Sequence, residues 1–131
     1  MNNQQQTYKT EPTEKKENLK SKDKYNIILQ LYKGLSDNLE VLGEKVTNKK
    51  SSSEVSQVAY KVDKIAAGLQ YTLDFENEKT LKISENFREL YRHIRFSMKM
   101  IYENQDFKLL DSSRNIAKVL HDSWSKIKPS I

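Results

Sequence analysis

Four stretches of the chain repeat apolar residues at helical spacing, and the third is the longest and most aromatic. Ile83, Phe87, Leu90, Ile94, Met98 and Ile101 recur at steps of four, three, four, four and three, which winds them onto one stripe of an α-helix spanning about 78–104. Tyr91, Phe96, Met100 and Tyr102 fall partly outside that stripe. A helix wetted on its far face is normally polar there, so this one is expected to be covered by neighbouring helices and by a segment of another protein. Met100 and Phe96 suit an adaptable binding surface, whereas Met98 sits on the stripe and is expected in the core.

The first helix is expected over about 24–47, capped by Asp23, with Ile28, Leu31, Tyr32, Leu35, Leu39, Leu42 and Val46 on one face. The polar tract 47–53 is a turn, and Ser51 followed by Glu54 fits a capping box. A second helix over 54–74 carries Val55, Val58, Val62, Ile65, Ala66, Leu69 and Leu73, and Asn77 is the expected cap of the third. Asp106 is the expected cap of a fourth helix over 107–127. That helix has a main stripe of Leu110, Ser113, Ala117, Leu120, Trp124 and Ile127 and a second one of Leu109, Ile116 and Val119. Pro129 stops it. Four long helices joined by short polar turns specify an all-α fold, an antiparallel up-and-down four-helix bundle over residues 23–128.

Residues 1–22 contain Tyr8, Pro12 and Leu19 among Asn, Gln, Thr, Lys, Glu and Ser, too little apolar surface to offset the entropy of ordering. They are expected to form a mobile N-terminal arm. The chain's 131 residues allow one domain with a sizeable core, and the 31% charged content suits a soluble chain. No stretch approaches a membrane span, and the N-terminus lacks the apolar core of a secretion signal, so the expected location is cytoplasmic, without membrane insertion.

Net charge is +5, but acids are mixed in throughout; in the first 24 residues six lysines face four acids. A solvated mixed-charge surface explains this better than nucleic-acid binding, which concentrates its cations in a patch. Arg88, Arg92 and Arg95 with Glu85 and Glu89 read as exposed ion pairs along the third helix.

Enzymatic chemistry finds no purchase. Zero cysteines exclude thiolate sites, and His93 and His121 stand on different helices without the ExxH spacing of di-metal bundles. No phosphate-binding glycine loop or nucleophile elbow occurs, and the serines at 51–53 and 112–113 read as turn and cap residues. Neither metal nor cofactor is expected, and the protein is expected not to be an enzyme.

Several landmarks remain: Tyr8 ahead of the first helix; Leu31-Tyr32-Lys33-Gly34; Leu73-Asp74 near the end of the second helix; Asn86-Phe87-Arg88-Glu89-Leu90-Tyr91 in the third; and Trp124 near the end of the fourth. Together they resemble the flagellin export chaperone family, FliS, from Tyr8 to Ile127. The chain departs from that pattern where Lys33 replaces an Asp, Phe87 a Leu and His93 a common Tyr, and where Asn77-Glu78-Lys79 replaces a Gly-Gly connection.

The resemblance implies a cytosolic chaperone that binds the disordered C-terminal segment of flagellin, prevents premature polymerisation and delivers it to a component of the flagellar type III export gate. It implies grooves that receive short flagellin helices, and an arm whose Tyr8 lies over part of the groove as a displaceable lid. The flagellin contacts it suggests are Tyr8; Leu31 and Tyr32 on the first helix; Asn86, Leu90, Tyr91 and Ile94 on the third; and a secondary patch of Leu109, Ile116 and Val119 on the fourth. Core packing is the competing role for each apolar member. Trp124 is expected in the core. A monomer or weak dimer is expected, and the rival reading is an adaptor bundle that dimerises through its extra apolar faces without a chaperone role.

Overall fold

The computed structural model describes the backbone of residues 13–73 and 78–126 and the side chains of residues 23–73 and 85–126. Four helices make up the fold: α1 (Thr13–Thr47), α2 (Ser52–Tyr71), α3 (Glu78–Asn104) and α4 (Leu110–Ser125). Each packs against its sequence neighbour, and α4 closes the ring on α1. This is the up-and-down bundle that the apolar stripes predict, and the described residues contain no strand.

The stripes meet along the bundle axis. Tyr32, Leu35, Leu39 and Leu42 of α1, Val55, Ala59, Val62, Ala66 and Leu69 of α2, Tyr91, Ile94, Met98 and Ile101 of α3, and Leu110, Ala117 and Leu120 of α4 are buried together. Small Ala59 and Ala66 let α2 approach its neighbours closely. Gly34 lies beside Ile65 of α2, where a methyl group would make an ordinary contact of 3.6 Å.

α1 begins ten residues before the expected Asp23 cap, so the segment 13–22 belongs to the helix and Asp23 is an exposed residue within it. The physical reason is propagation. Once the 28–46 stripe is docked, each added residue needs only one hydrogen bond and no new nucleus. The sequence from Thr13 to Lys22 is rich in Glu and Lys, good helix formers, and Glu14 and Glu17 fall where the helix dipole favours negative charge. Residues 1–12, including Tyr8, and the expected Asn77 cap lie outside the described residues.

Ser51 caps α2 as expected, accepting the Glu54 N–H at 3.2 Å, while the Glu54 carboxylate turns to Lys45 Nζ at 3.2 Å. Asp106 does not cap α4. Its carboxylate accepts the Lys108 N–H at 3.0 Å within the preceding turn, and Leu109 occupies the cap position without a side-chain bond. The helix starts late because this turn tucks Phe107 against the core. α1 ends on Lys49 and α3 on Gln105, both left-handed, and the following N–H groups of Lys50 and Asp106 return to the Lys45 and Met100 carbonyls.

Two polar features sit inside this apolar frame. Across the bundle, the Tyr32 and Tyr91 hydroxyls bond each other at 2.5 Å, with both side chains 1% exposed. Burial pushes both phenols above their ordinary value. At Tyr91 the neighbouring Tyr32 adds to the rise, whereas at Tyr32 the bond from Tyr91 partly offsets it. Near one end, Trp124 stacks on Tyr25 with ring centroids 5.5 Å apart and meets Tyr32 edge-on at 5.9 Å. The Trp124 indole N–H donates to the Tyr25 carbonyl and the Tyr25 hydroxyl to the Trp124 carbonyl, each at 3.2 Å. Trp124 is thus half-buried at the edge of the core rather than inside it.

Trp124→Ala should cost about 3 kcal/mol in urea-induced unfolding, the lower end for a large aromatic because one side of the ring is wet. The tyrosine pair carries a pH signature. A phenol held protonated in the fold keeps its proton where the unfolded chain loses it, so its stabilisation is complete below about pH 10 and declines above. Unfolding free energy should fall by up to about 2.7 kcal/mol per pH unit above that point, about 1.4 for each phenol. The Tyr32→Phe/Tyr91→Phe double variant should show a much flatter decline; an unchanged slope would refute the assignment.

Candidate functional site

Helical phase puts Asn86, Leu90, His93, Ser97 and Met100 on the α3 flank turned toward α4, and Leu109, Ser112, Ile116 and Val119 on the α4 flank turned toward α3. The two flanks are joined by His93 Nε2 and Ser112 Oγ at 2.7 Å. Ser112 donates its one hydroxyl hydrogen to the Leu109 carbonyl at 3.0 Å, so its oxygen must accept from His93, which places the imidazole hydrogen on Nε2.

The floor of this seam is apolar, with Leu90 and Ile116 half-buried against the core, and Val119, 62% exposed, stands at its α4 rim, while Phe96, 57% exposed, lies on the outer face of α3. Large apolar side chains left that open on two adjacent helices add up to surface suited to an apolar partner. Among the described residues, α3 and α4 also share the least extensive contact of the four neighbouring pairs. The Ser97 hydroxyl on the α3 flank and the Ser113 hydroxyl on the core stripe of α4 are buried without hydrogen-bond partners. Each such group costs about 1–3 kcal/mol relative to a satisfied one.

The structure therefore brings Asn86, Leu90, Leu109, Ile116 and Val119 to one seam. Leu31 stands elsewhere, half-buried on the α1 flank facing α2, beside exposed Ile27 and Val41. Tyr32, Tyr91 and Ile94 lie in the core, the competing role for each, and are 0–1% exposed in the free protein. They lie at the centre of their stripes, and the side chains at stripe edges are the ones left accessible. Met98 is fully buried and Met100 half-buried, as the stripe positions require.

Other polar residues have different partners from those their spacing implies. Arg92 pairs with Glu89 on its own helix at 3.1 Å, but Arg95 leaves that ladder and reaches α2, where Nε bonds Asp63 at 2.7 Å and Nη1 bonds Gln70 at 2.8 Å. Asp63 is buried, and this pairing is what permits it there. Ser112 and Ser113 lie within α4 rather than in a turn. The one signal of Asp63 in the sequence was an acid directly beside Val62 of the α2 stripe; nothing in it marked the His93–Ser112 bond.

On the α1–α4 side, Arg114 packs over Gly43, where an added methyl would meet its guanidinium carbon at 3.0 Å, and bonds Glu40 at 2.7 Å. The bond from Arg114 holds the Glu40 carboxyl below its usual range. A cavity of about 450 Å³ here is lined by Glu40, Asp111, Arg114, Asn115 and Lys118. Its charges compensate one another, so it favours neither anion nor cation. Among the described residues no cluster of His, Asp or Glu is arranged to hold a metal, and no helix is long and apolar enough to cross a membrane.

A family model described as Flagellar protein FliS matches residues 1–131. No curated protein and no solved structure matches the chain.

Removing an unsatisfied hydroxyl while keeping the packing should stabilise the fold. Ser97→Ala and Ser113→Ala are each expected to raise the free energy of urea unfolding by about 1 kcal/mol, helped by the higher helix propensity of alanine. A loss of stability in both would show that these hydroxyls are satisfied in solution.

Proposed function

The chain belongs to the flagellar protein FliS family, which it matches over its whole length, and from that premise we propose that it is an export chaperone for flagellin. It binds the disordered C-terminal segment of flagellin, keeps the subunit from polymerising in the cytoplasm and presents it to the flagellar type III export apparatus. Membership of a flagellar chaperone family supports the flagellar role; the choice of segment and the delivery step extend it.

The observation that carries the binding mode is the α3–α4 seam. Val119 stands open beside a half-buried floor of Leu90 and Ile116, an apolar strip on which an amphipathic helix can lay one face. A disordered segment must offset its ordering entropy with buried area, so an extended apolar seam suits it better than a small pocket. Leu31, with Ile27 and Val41 on the α1–α2 flank, is placed to receive a second short stretch of the same chain as it wraps the bundle. Asn86, exposed at the end of the α3 flank, is placed to bond the backbone of the partner.

Covering flagellin's assembly-competent terminus explains both halves of the role. A terminus occupied by the chaperone cannot pack into a filament. Nor does the bundle need chemistry to release it, because competition for the segment at the export apparatus is enough.

Calorimetric titration with a peptide of about 40 residues from the C-terminus of the organism's own flagellin tests the proposal. Saturable one-to-one binding with a negative heat-capacity change is expected. Burying an aliphatic side chain contributes about 1.5–3 kcal/mol, so Val119→Asp should weaken binding by about tenfold or more without altering unfolding. Absence of binding by a folded, monomeric sample would remove flagellin as the substrate, and self-association in its place would favour the dimerising adaptor.

A further inference from the structure

Three of the four lateral seams are held by several kinds of contact. Between α2 and α3, Arg95 bonds Asp63 and Gln70, Tyr60 meets Tyr102 edge-on at 5.8 Å, and Gln105 donates to Ser56 at 3.1 Å. Between α1 and α4 stand the reciprocal Tyr25–Trp124 bonds, the Glu40–Arg114 pair and the close approach at Gly43. Between α1 and α2, Gly34 faces Ile65 at ordinary contact distance and Lys45 pairs with Glu54. The α3–α4 seam differs. Among the described residues its contact is the least extensive and its polar tie is the His93–Ser112 bond, while the Ser97 hydroxyl on its α3 flank and the Ser113 hydroxyl on the core stripe of α4 beside it have no partner.

Buried hydroxyls without partners mark a closed state that leaves hydrogen bonds unmade, so a state that supplies them gains that contribution relative to it. We infer that the α3–α4 seam is a latch: the His93–Ser112 bond holds α4 against α3 in the free protein, and the incoming flagellin segment parts the two helices. The segment's occupying stretch is an apolar helix with a polar side chain on its buried face, which bonds the Ser97 and Ser113 hydroxyls. α4 turns about its fixed clamp on α1, so the motion leaves the Tyr25–Trp124 and Glu40–Arg114 contacts in place. This inference rests on the flagellin reading and specifies how that site is opened.

Since the chain has no cysteine, a thiol pair can be introduced without background. In the His93→Cys/Ser112→Cys variant the two thiols are joined by a short bis-methanethiosulfonate linker, which reductant removes. The bridged protein should bind the flagellin C-terminal peptide about tenfold more weakly than the same protein after reduction, and the reduced variant, lacking the native bond, at least as tightly as the parent. The same linker across Tyr60→Cys/Tyr102→Cys, on the α2–α3 seam, should leave affinity within about twofold. Bridged protein that binds as tightly as reduced overturns the latch and leaves the chaperone role standing.

Hydrogen exchange provides a readout that needs no flagellin. Bridging 93 to 112 should slow exchange of the α4 amides about tenfold, and the α2–α3 bridge should not. Should no form of the protein bind the peptide, the flagellin reading falls, and exchange alone decides the latch: α4 amides unaffected by the bridge overturn it.

Discussion

Two phenolic hydroxyls at the centre of an apolar bundle impose a geometry that hydrophobic packing alone would not. Tyr32 and Tyr91 sit on diagonally opposed helices, and each hydroxyl needs the other to avoid being buried unpaired. Apolar side chains slide past one another at small cost, whereas a hydroxyl pair is met only at one relative height of α1 and α3. The pair therefore sets the axial register in which the four stripes close on the axis. The edge-on contact of Tyr32 with Trp124 carries that register to α4, and Tyr91 packs beside Phe87 on its own helix.

With the register set, the sides of the bundle are unequal. Charged and aromatic contacts tie α2 to α3 and α1 to α4, so the molecule is built as two well-joined helix pairs. The α1–α2 seam unites the pairs with apolar packing and an exposed ion pair, and among the described residues the α3–α4 seam shows one histidine–serine bond beside unfilled hydrogen-bonding capacity. That asymmetry puts the accessible apolar surface where the architecture is least committed, which suits a protein whose partner must be held firmly and then given up.

The sequence made the helices and their inner faces plain, because a stripe at steps of three and four has one burial solution in a bundle. It also pointed to apolar surplus on α3 and α4, where Phe96 and Val119 are indeed open. Which of the landmark residues are reachable was not legible. Tyr32, Tyr91 and Ile94 stand one or a few positions from Leu31 and Leu90, and only the angle each helix turns toward its neighbours separates core from rim. Cross-helix polar bonds were hidden for a related reason. Arg95 has acids within its own helix, and its preference for Asp63 depends on the height of α2 beside α3, a property of the packed whole. The early start of α1 was missed because charge-rich sequence reads as disordered until a docked helix exists for it to extend.

The clasp between Tyr25 and Trp124 has a practical corollary. Trp124 is the sole tryptophan of the chain, it is half exposed, and it stacks on a tyrosine of another helix. Its emission colour and its excitation transfer from Tyr25 and Tyr32, both on α1, therefore report chiefly the α1–α4 joint, with no label attached. Motions confined to the opposite side of the bundle leave that signal nearly constant, so the protein carries a native optical reference against which movement elsewhere can be measured.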